Sequence, residues 1–339
     1  MNVEAVVLMF FGVLCMSGHN ITQRWVLRGK PILSKRDVLV SQHIISLPVL
    51  FISFFIWGGG STHFFAQPKV FWLAVVATTS FNVFIQYANV KSKELADTSL
   101  VTPIQALTPG LVVMAALVLG EVPSWQGVIG ILLISVGVYV HSREDAKTWH
   151  DWLLPFSMLL FPPNCARLPP SLQAIVRPKV LALRWAFLSA CLGTGGLIFD
   201  SLVARHGSVE VGFSVQAIML ASLYTISLRT SRDENTNCFL GRRQKKCNPW
   251  TARLLLGGFY GLHVVFVMTA FRLAPVAYIG TLKRFSIVIV ALLAWWLLGE
   301  IKVKHRLWPI LVITAGSLCL AFDGTIPKFI DLIDKHFLP

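Results

Sequence analysis

Residues 95–140 read LADTSLVTPIQALTPGLVVMAALVLGEVPSWQGVIGILLISVGVYV, and residues 273–322 read LAPVAYIGTLKRFSIVIVALLAWWLLGEIKVKHRLWPILVITAGSLCLAF. Each stretch opens on Leu-Ala. Each runs through an apolar segment ending in Leu-Gly-Glu, turns over a few polar residues, and enters a second apolar segment with a late glycine. Setting Gly120-Glu121 on Gly299-Glu300 brings Thr102 onto Thr281, Gln105 onto Arg284 and Gly137 onto Gly316. Apolar composition alone does not place Leu-Gly-Glu between paired segments twice at matching positions, so the chain reads as a duplication. The first segments of the two halves match more loosely, with Gly18 near Gly195 and Arg28 near Arg205.

Outward from this repeat, apolar runs recur along the whole chain. Hydrophobic residues make up 55% of the 339 and charged residues 14%, and the mean hydropathy is +0.67. Soluble domains are nearer about 25% charged, so this chain lacks the polar side chains to cover a soluble surface. Runs of about 18 residues or more are long enough to cross the hydrocarbon core of a bilayer. Lipid offers no hydrogen bonds to the backbone, so such runs must be helical. A membrane barrel would alternate with a period of two instead.

The expected fold is all-α: a polytopic membrane protein of about ten transmembrane helices arranged as two inverted five-helix repeats. The helices are expected at 4–27, 38–57, 69–90, 98–119 and 125–141 in the first half. In the second they are expected at 180–204, 210–228, 250–271, 276–298 and 307–322. The domain reading is a first repeat over 1–145, a cytoplasmic linker over 146–179, a second repeat over 180–325 and a C-terminal tail over 326–339. Within the linker, residues 149–161 are apolar but too short to span, which predicts an interfacial helix. Residues 229–246 are polar and basic and read as a solvated loop. The first apolar run is preceded only by Glu4, which argues against a cleaved signal peptide.

The net charge of +14 comes from 30 Lys and Arg against 16 Asp and Glu. The cations sit in loops, so orientation in the membrane accounts for them without nucleic acid as a partner. Lys69, Arg205, Arg272, Lys328 and Lys335 fall on the side of both termini, Arg24, Lys283 and Arg284 fall inside apolar runs, and the remaining 22 fall on the opposite side. The rich side should be cytoplasmic and both termini non-cytoplasmic. A plasma or inner membrane is the expected location, with an organelle membrane as the alternative. The six cysteines form no CxxC pair, so neither a zinc site nor a disulfide framework is indicated. No metal and no cofactor are expected.

Five spanning helices is an odd number, so the second half must run through the membrane upside down relative to the first. Inverted repeats of this kind mark secondary transporters, with the substrate site at the repeat interface near the midplane. On the two Leu-Gly-Glu turns and the five-plus-five arrangement, the chain resembles the drug/metabolite transporter superfamily, in its EamA-type ten-helix group. The resemblance implies transport of a small molecule through a cavity lined by the fourth and ninth helices.

Charge inside the membrane is costly and marks function. The ninth helix carries Lys283 and Arg284 about seven residues in, roughly 10 Å from its start. Lys supplies a point charge and Arg a planar fork, a combination suited to phosphate or carboxylate. The doublet is similar to a Lys-Arg pair of triose-phosphate and nucleotide-sugar transporters, which implies that it binds the substrate's anionic group. Internal pairing with Asp200 is the competing structural reading. Asp200, deep in the sixth helix, is expected to balance charge or to serve as a coupling site. Arg24, with His19, Asn20 and Gln23 nearby, reads as snorkelling to the interface and joins the charge-balancing set.

Neutral groups for the same pocket are Asn82, Gln86, Thr102 and Gln105, with Thr108 close by. Interhelical hydrogen bonding is their structural alternative. His43, Gln216 and His263 read as packing partners, and Glu121 and Glu300 as stabilisers of turns. Gly257 and Gly261, four apart, permit close helix contact, within the chain or in a homodimer. The chain lacks HExxH, GxSxG and a phosphate-binding loop, so it does not read as an enzyme. The expected function is secondary active transport of a small organic anion by alternating access. Export of neutral or cationic metabolites or drugs, or flipping of a lipid-linked phosphosugar, stays open as the alternative, and an anion channel ranks lower.

Overall fold

A computed structural model describes residues 2–27, 33, 35–57, 66–96, 104, 107–142, 148–163, 169–227, 248–298 and 307–323. Twelve helices cover them: α1 Val3–Leu27, α2 Lys35–Trp57, α3 Lys69–Leu95, α4 Thr108–Val118, α5 Trp125–Ser142, α6 Trp149–Leu160, α7 Pro170–His206, α8 Val209–Ser227, α9 Pro249–Ala270, α10 Val276–Leu282, α11 Ser286–Leu298 and α12 Leu307–Ala321. A 3-10 turn, Lys283–Phe285, joins α10 to α11. Eight spans among the described residues are long and apolar enough to cross a membrane, and Thr108–Leu117 and Trp308–Ala321 are shorter apolar helices. Helix is the only regular structure among these residues, as the apolar runs require.

Two differences from the sequence reading matter. α7 begins at Pro170, ten residues before the expected start, and continues through Pro178. At about 1.5 Å per residue its 37 residues reach roughly 55 Å, well beyond a bilayer core of about 30 Å. The expected 146–179 linker is thus helical over its last part. Of the fourth helix, α4 is described from Thr108, with Pro109 in its first turn, where proline is favoured; Ile104 is helical too, and the expected start at residue 98 lies outside the described residues. The ninth helix runs on through Lys283–Phe285, but with 3-10 rather than α-helical geometry there. The apolar stretch expected at 149–161 is helical as α6, opened by a capping box between Thr148 and Asp151, and the Tyr139 hydroxyl ties it to the Trp152 carbonyl.

The packing has a pairwise logic. α1 runs along α9, α3 along α7, and α5 along α12, while α2 fills against α8 and α9. Glycines set the closest approaches. A Cβ on Gly18 would lie 3.0 Å from the Phe259 ring in the α1–α9 pair, and one on Gly195 would lie 2.7 Å from the Phe81 ring in the α7–α3 pair. Gly257 and Gly261 press against Ile45 and Val49 of α2, so this glycine pair makes its close contact inside the chain. α5 and α12 touch backbone to backbone, Gly130 against Gly316.

The Leu-Gly-Glu turn after α4 shows why its glycine recurs. Gly120 has φ +76°, a region where a side chain is strained. Its N–H donates to the Leu117 carbonyl at 3.0 Å, and that of Glu121 to the Ala116 carbonyl at 3.0 Å. These two bonds close the helix end in a Schellman arrangement and send the Glu121 side chain across to the other half of the chain.

Candidate substrate cavity

A cavity of about 410 Å³ lies inside the bundle. Its wall draws on both halves of the chain. α1 gives Met16 and Asn20, α3 gives Asn82, Ile85 and Asn89, and α4 gives Thr108. From the second half come Ser189, Gly193, Gly196 and Asp200 of α7, and Gly280, Lys283, Arg284 and Ser286 around the α10–α11 junction. Asn82 and Asn89 share one face of α3, and residues 189, 193, 196 and 200 share one face of α7, by the three-to-four-residue period of a helix.

Lys283, Arg284, Asp200 and Asn82 are therefore brought together as expected. Gln86 is not in the wall. Thr102, Gln105 and Glu300, and the side chain of Arg24, lie outside the described residues. Asn20, Asn89 and Ser189 join the wall without having been singled out as ligands. The signal was present in the seven-residue spacing of Asn82 and Asn89.

Asp200 sits at the deep end, 8% exposed. The Thr78 hydroxyl donates to its Oδ1 at 2.5 Å, and Asn82 Nδ2 donates to the Thr78 carbonyl at 2.9 Å. Its Oδ2 has no partner among the described residues. Lys283 Nζ lies 5.4 Å from the centre of the buried Phe271 ring, within cation–π range. Arg284 makes neither a hydrogen bond nor an ion pair with any described residue. Asp200 carries opposite charge in the same space, yet no salt bridge within 4.0 Å joins it to either cation. The two expected alternatives thus meet in one place: the charges share a cavity without cancelling by direct contact.

The backbone tightens at the same point: the 3-10 stretch holds both cations, and α-helical geometry resumes at Ser286. A mid-helix 3-10 stretch often marks a functional hinge.

The bundle end beyond Asp200 is tied across. Glu121 accepts the Val276 N–H at 2.7 Å, capping α10, and pairs with Arg205 at 2.5 Å. Arg205 also donates to the Phe271 carbonyl at 3.1 Å. Arg272 returns the bond to the Ala204 and Gly207 carbonyls, both at 2.6 Å. The Tyr278 hydroxyl donates to Asp323 at 2.6 Å and accepts from the Ser124 N–H at 3.0 Å. Glu121 does more than stabilise its own turn, then: it joins the two halves. Glu121→Ala is expected to cost about 1–2 kcal/mol, from a lost helix cap and a partly exposed ion pair. Arg205→Ala should cost less in that background than alone. Thermal unfolding of the purified single and double variants measures both, and strictly additive losses contradict the link.

No group of three or more His, Cys, Asp or Glu side chains with metal-binding geometry occurs among the described residues. No curated protein matches the sequence. A crystal structure with 15% sequence identity is similar over 97% of this chain and 99% of its own, with a TM-score of 0.68, which establishes likeness of fold. Residues 3–143 match the model of the EamA-like transporter family, membrane transporters of small molecules, in keeping with the drug/metabolite transporter superfamily.

Proposed function

We propose that this protein is a secondary active transporter that moves a small organic anion, bearing phosphate or carboxylate, by alternating access. Arg284 and Lys283 hold the anionic group, with Asn82 and the neighbouring amides and hydroxyls supplying hydrogen bonds. The observation that carries this reading is the pair of cations without salt-bridge partners among the described residues, in a cavity walled by both halves, on a 3-10 stretch of the helix that bears them. A dry interior charge without a partner is costly, and an anionic ligand offsets that cost.

The two halves are read as inverted copies. The α1–α9 and α7–α3 pairs support this, because Gly18 and Gly195 seat Phe259 and Phe81 at corresponding positions. The wall residues lie between Asp200 and the end carrying the Lys- and Arg-rich loops, while Glu121, Arg205 and Tyr278 tie the other end. With the rich loops cytoplasmic, the cavity faces the cytoplasm and the termini lie on the far side.

The presence of Asp200 in the same wall favours one second reading, a carrier of cationic metabolites. Ligand binding raises stability by mass action, so thermal unfolding of the purified protein against phosphorylated, carboxylated, neutral and cationic compounds decides between them. Stabilisation by the phosphorylated or carboxylated members is expected, and its loss in Lys283→Ala. Stabilisation that survives Lys283→Ala overturns the assignment, and stabilisation by cations alone gives the second reading.

A further inference from the structure

The cavity does not present a purely positive face. Its described charged groups are Lys283, Arg284 and Asp200, a formal sum of one positive charge. The carboxylate is held in place, since Thr78 binds its Oδ1 and Asn82 in turn holds Thr78. Its Oδ2 remains without a partner among the described residues, and the carboxylate forms no direct ion pair with either cation. A ligand that carried only negative charge would meet repulsion at Asp200. A ligand of zero net charge would leave the site positive. Both mismatches are expensive at low dielectric.

We propose, on the basis of the anion-carrier reading, that the transported molecule is an anion that also bears an ammonium group, with one net negative charge. Arg284 takes the acidic group through its planar fork. Lys283, steadied over Phe271, adds a second positive charge. Asp200 accepts hydrogen bonds from the ammonium at the deep end. Two chemistries satisfy this rule: a dicarboxylate with an ammonium, and a phosphate monoester with an ammonium. The cavity, at about 410 Å³, has room for molecules of that size.

The test compares pairs that differ only by the amine: glutamate with glutarate, and O-phosphoethanolamine with ethyl phosphate. Apparent affinities come from thermal unfolding of the purified full-length protein as each compound is titrated. The amine-bearing member of one pair is expected to bind at least about tenfold more tightly than its partner, a difference of about 1.4 kcal/mol. The pair that shows this tells carboxylate from phosphate. Asp200→Asn should bring the two members within about twofold, by removing the ionic half of the contact. If Asp200→Asn does not fold, Thr78→Val, which keeps the carboxylate and removes its orienting bond, should narrow the preference. Equal binding within both pairs in the wild type overturns this proposal and leaves the anion reading standing. So does a preference that persists in Asp200→Asn. If none of the four compounds stabilises the protein, both readings fall.

Discussion

Valine at position 316 is expected to prevent recovery of stable folded protein. α5 and α12 meet backbone to backbone at Gly130 and Gly316. A Cβ on Gly316 would sit 2.7 Å from the Gly130 carbonyl oxygen and 2.9 Å from the Ile134 nitrogen. These are backbone atoms and cannot swing aside, so the helices must part. Parting them forfeits dispersion along the whole seam, where even a gap of about 0.5–1 Å loses a quarter to a half of each contact. Overpacking commonly costs about 1–3 kcal/mol, and a branched side chain against backbone belongs at or above the upper figure. Gly258→Ala is the matched control, because a Cβ there meets nothing within 4 Å. It should be neutral or slightly stabilising, since alanine is the better helix former. Size-exclusion behaviour and unfolding temperature in detergent read both outcomes, and a Gly316→Val protein as stable as the control refutes the packing account.

Arg284→Gln is expected to weaken anion binding by about 10- to 100-fold, the loss of a charge-assisted pair worth roughly 1.5–3 kcal/mol. Arg284→Lys should recover only part of it, because an ammonium lacks the planar fork. The effect should exceed that of Lys283→Gln, since Lys283 is partly engaged with Phe271. Titration of glycerol 3-phosphate and glutamate against thermal unfolding measures the series. Arg253→Gln serves as reference, because Arg253 lies beside Trp250, outside the cavity wall. A loss in Arg284→Gln no larger than in that reference refutes the role.

Periodicity and chemistry carried the sequence reading unequally. Long apolar runs translate directly into helices in lipid, so the number and order of spans were legible. Lys283, Arg284 and Asp200 were legible too, because charge in an apolar run has few bland explanations. Departures from regular α-helix were not. The 3-10 stretch at 283–285 has no proline, and only the paired cations and nearby Gly280 hint at it. The early start of α7 was hidden by Pro178, which reads as a breaker yet sits within the helix. Long-range partners were hidden for a different reason. Nothing local in Glu121 says that it caps Val276, 155 residues away, and nothing in Thr78 says that it holds Asp200. Those bonds depend on how helices from the two halves face each other, and face-to-face registry has no signature along a single strand of sequence.

The length of α7 carries one last implication. Asp200 lies near one tip of this rod, and its opposite tip stands clear of the bilayer core, beside α6. Pro178 donates no backbone hydrogen bond, so the rod carries a point of bending eight residues from that tip. A tilt imposed on α7 near Asp200 is therefore carried along the rod as far as Pro178, where the helix can bend and leave its outer turns in place.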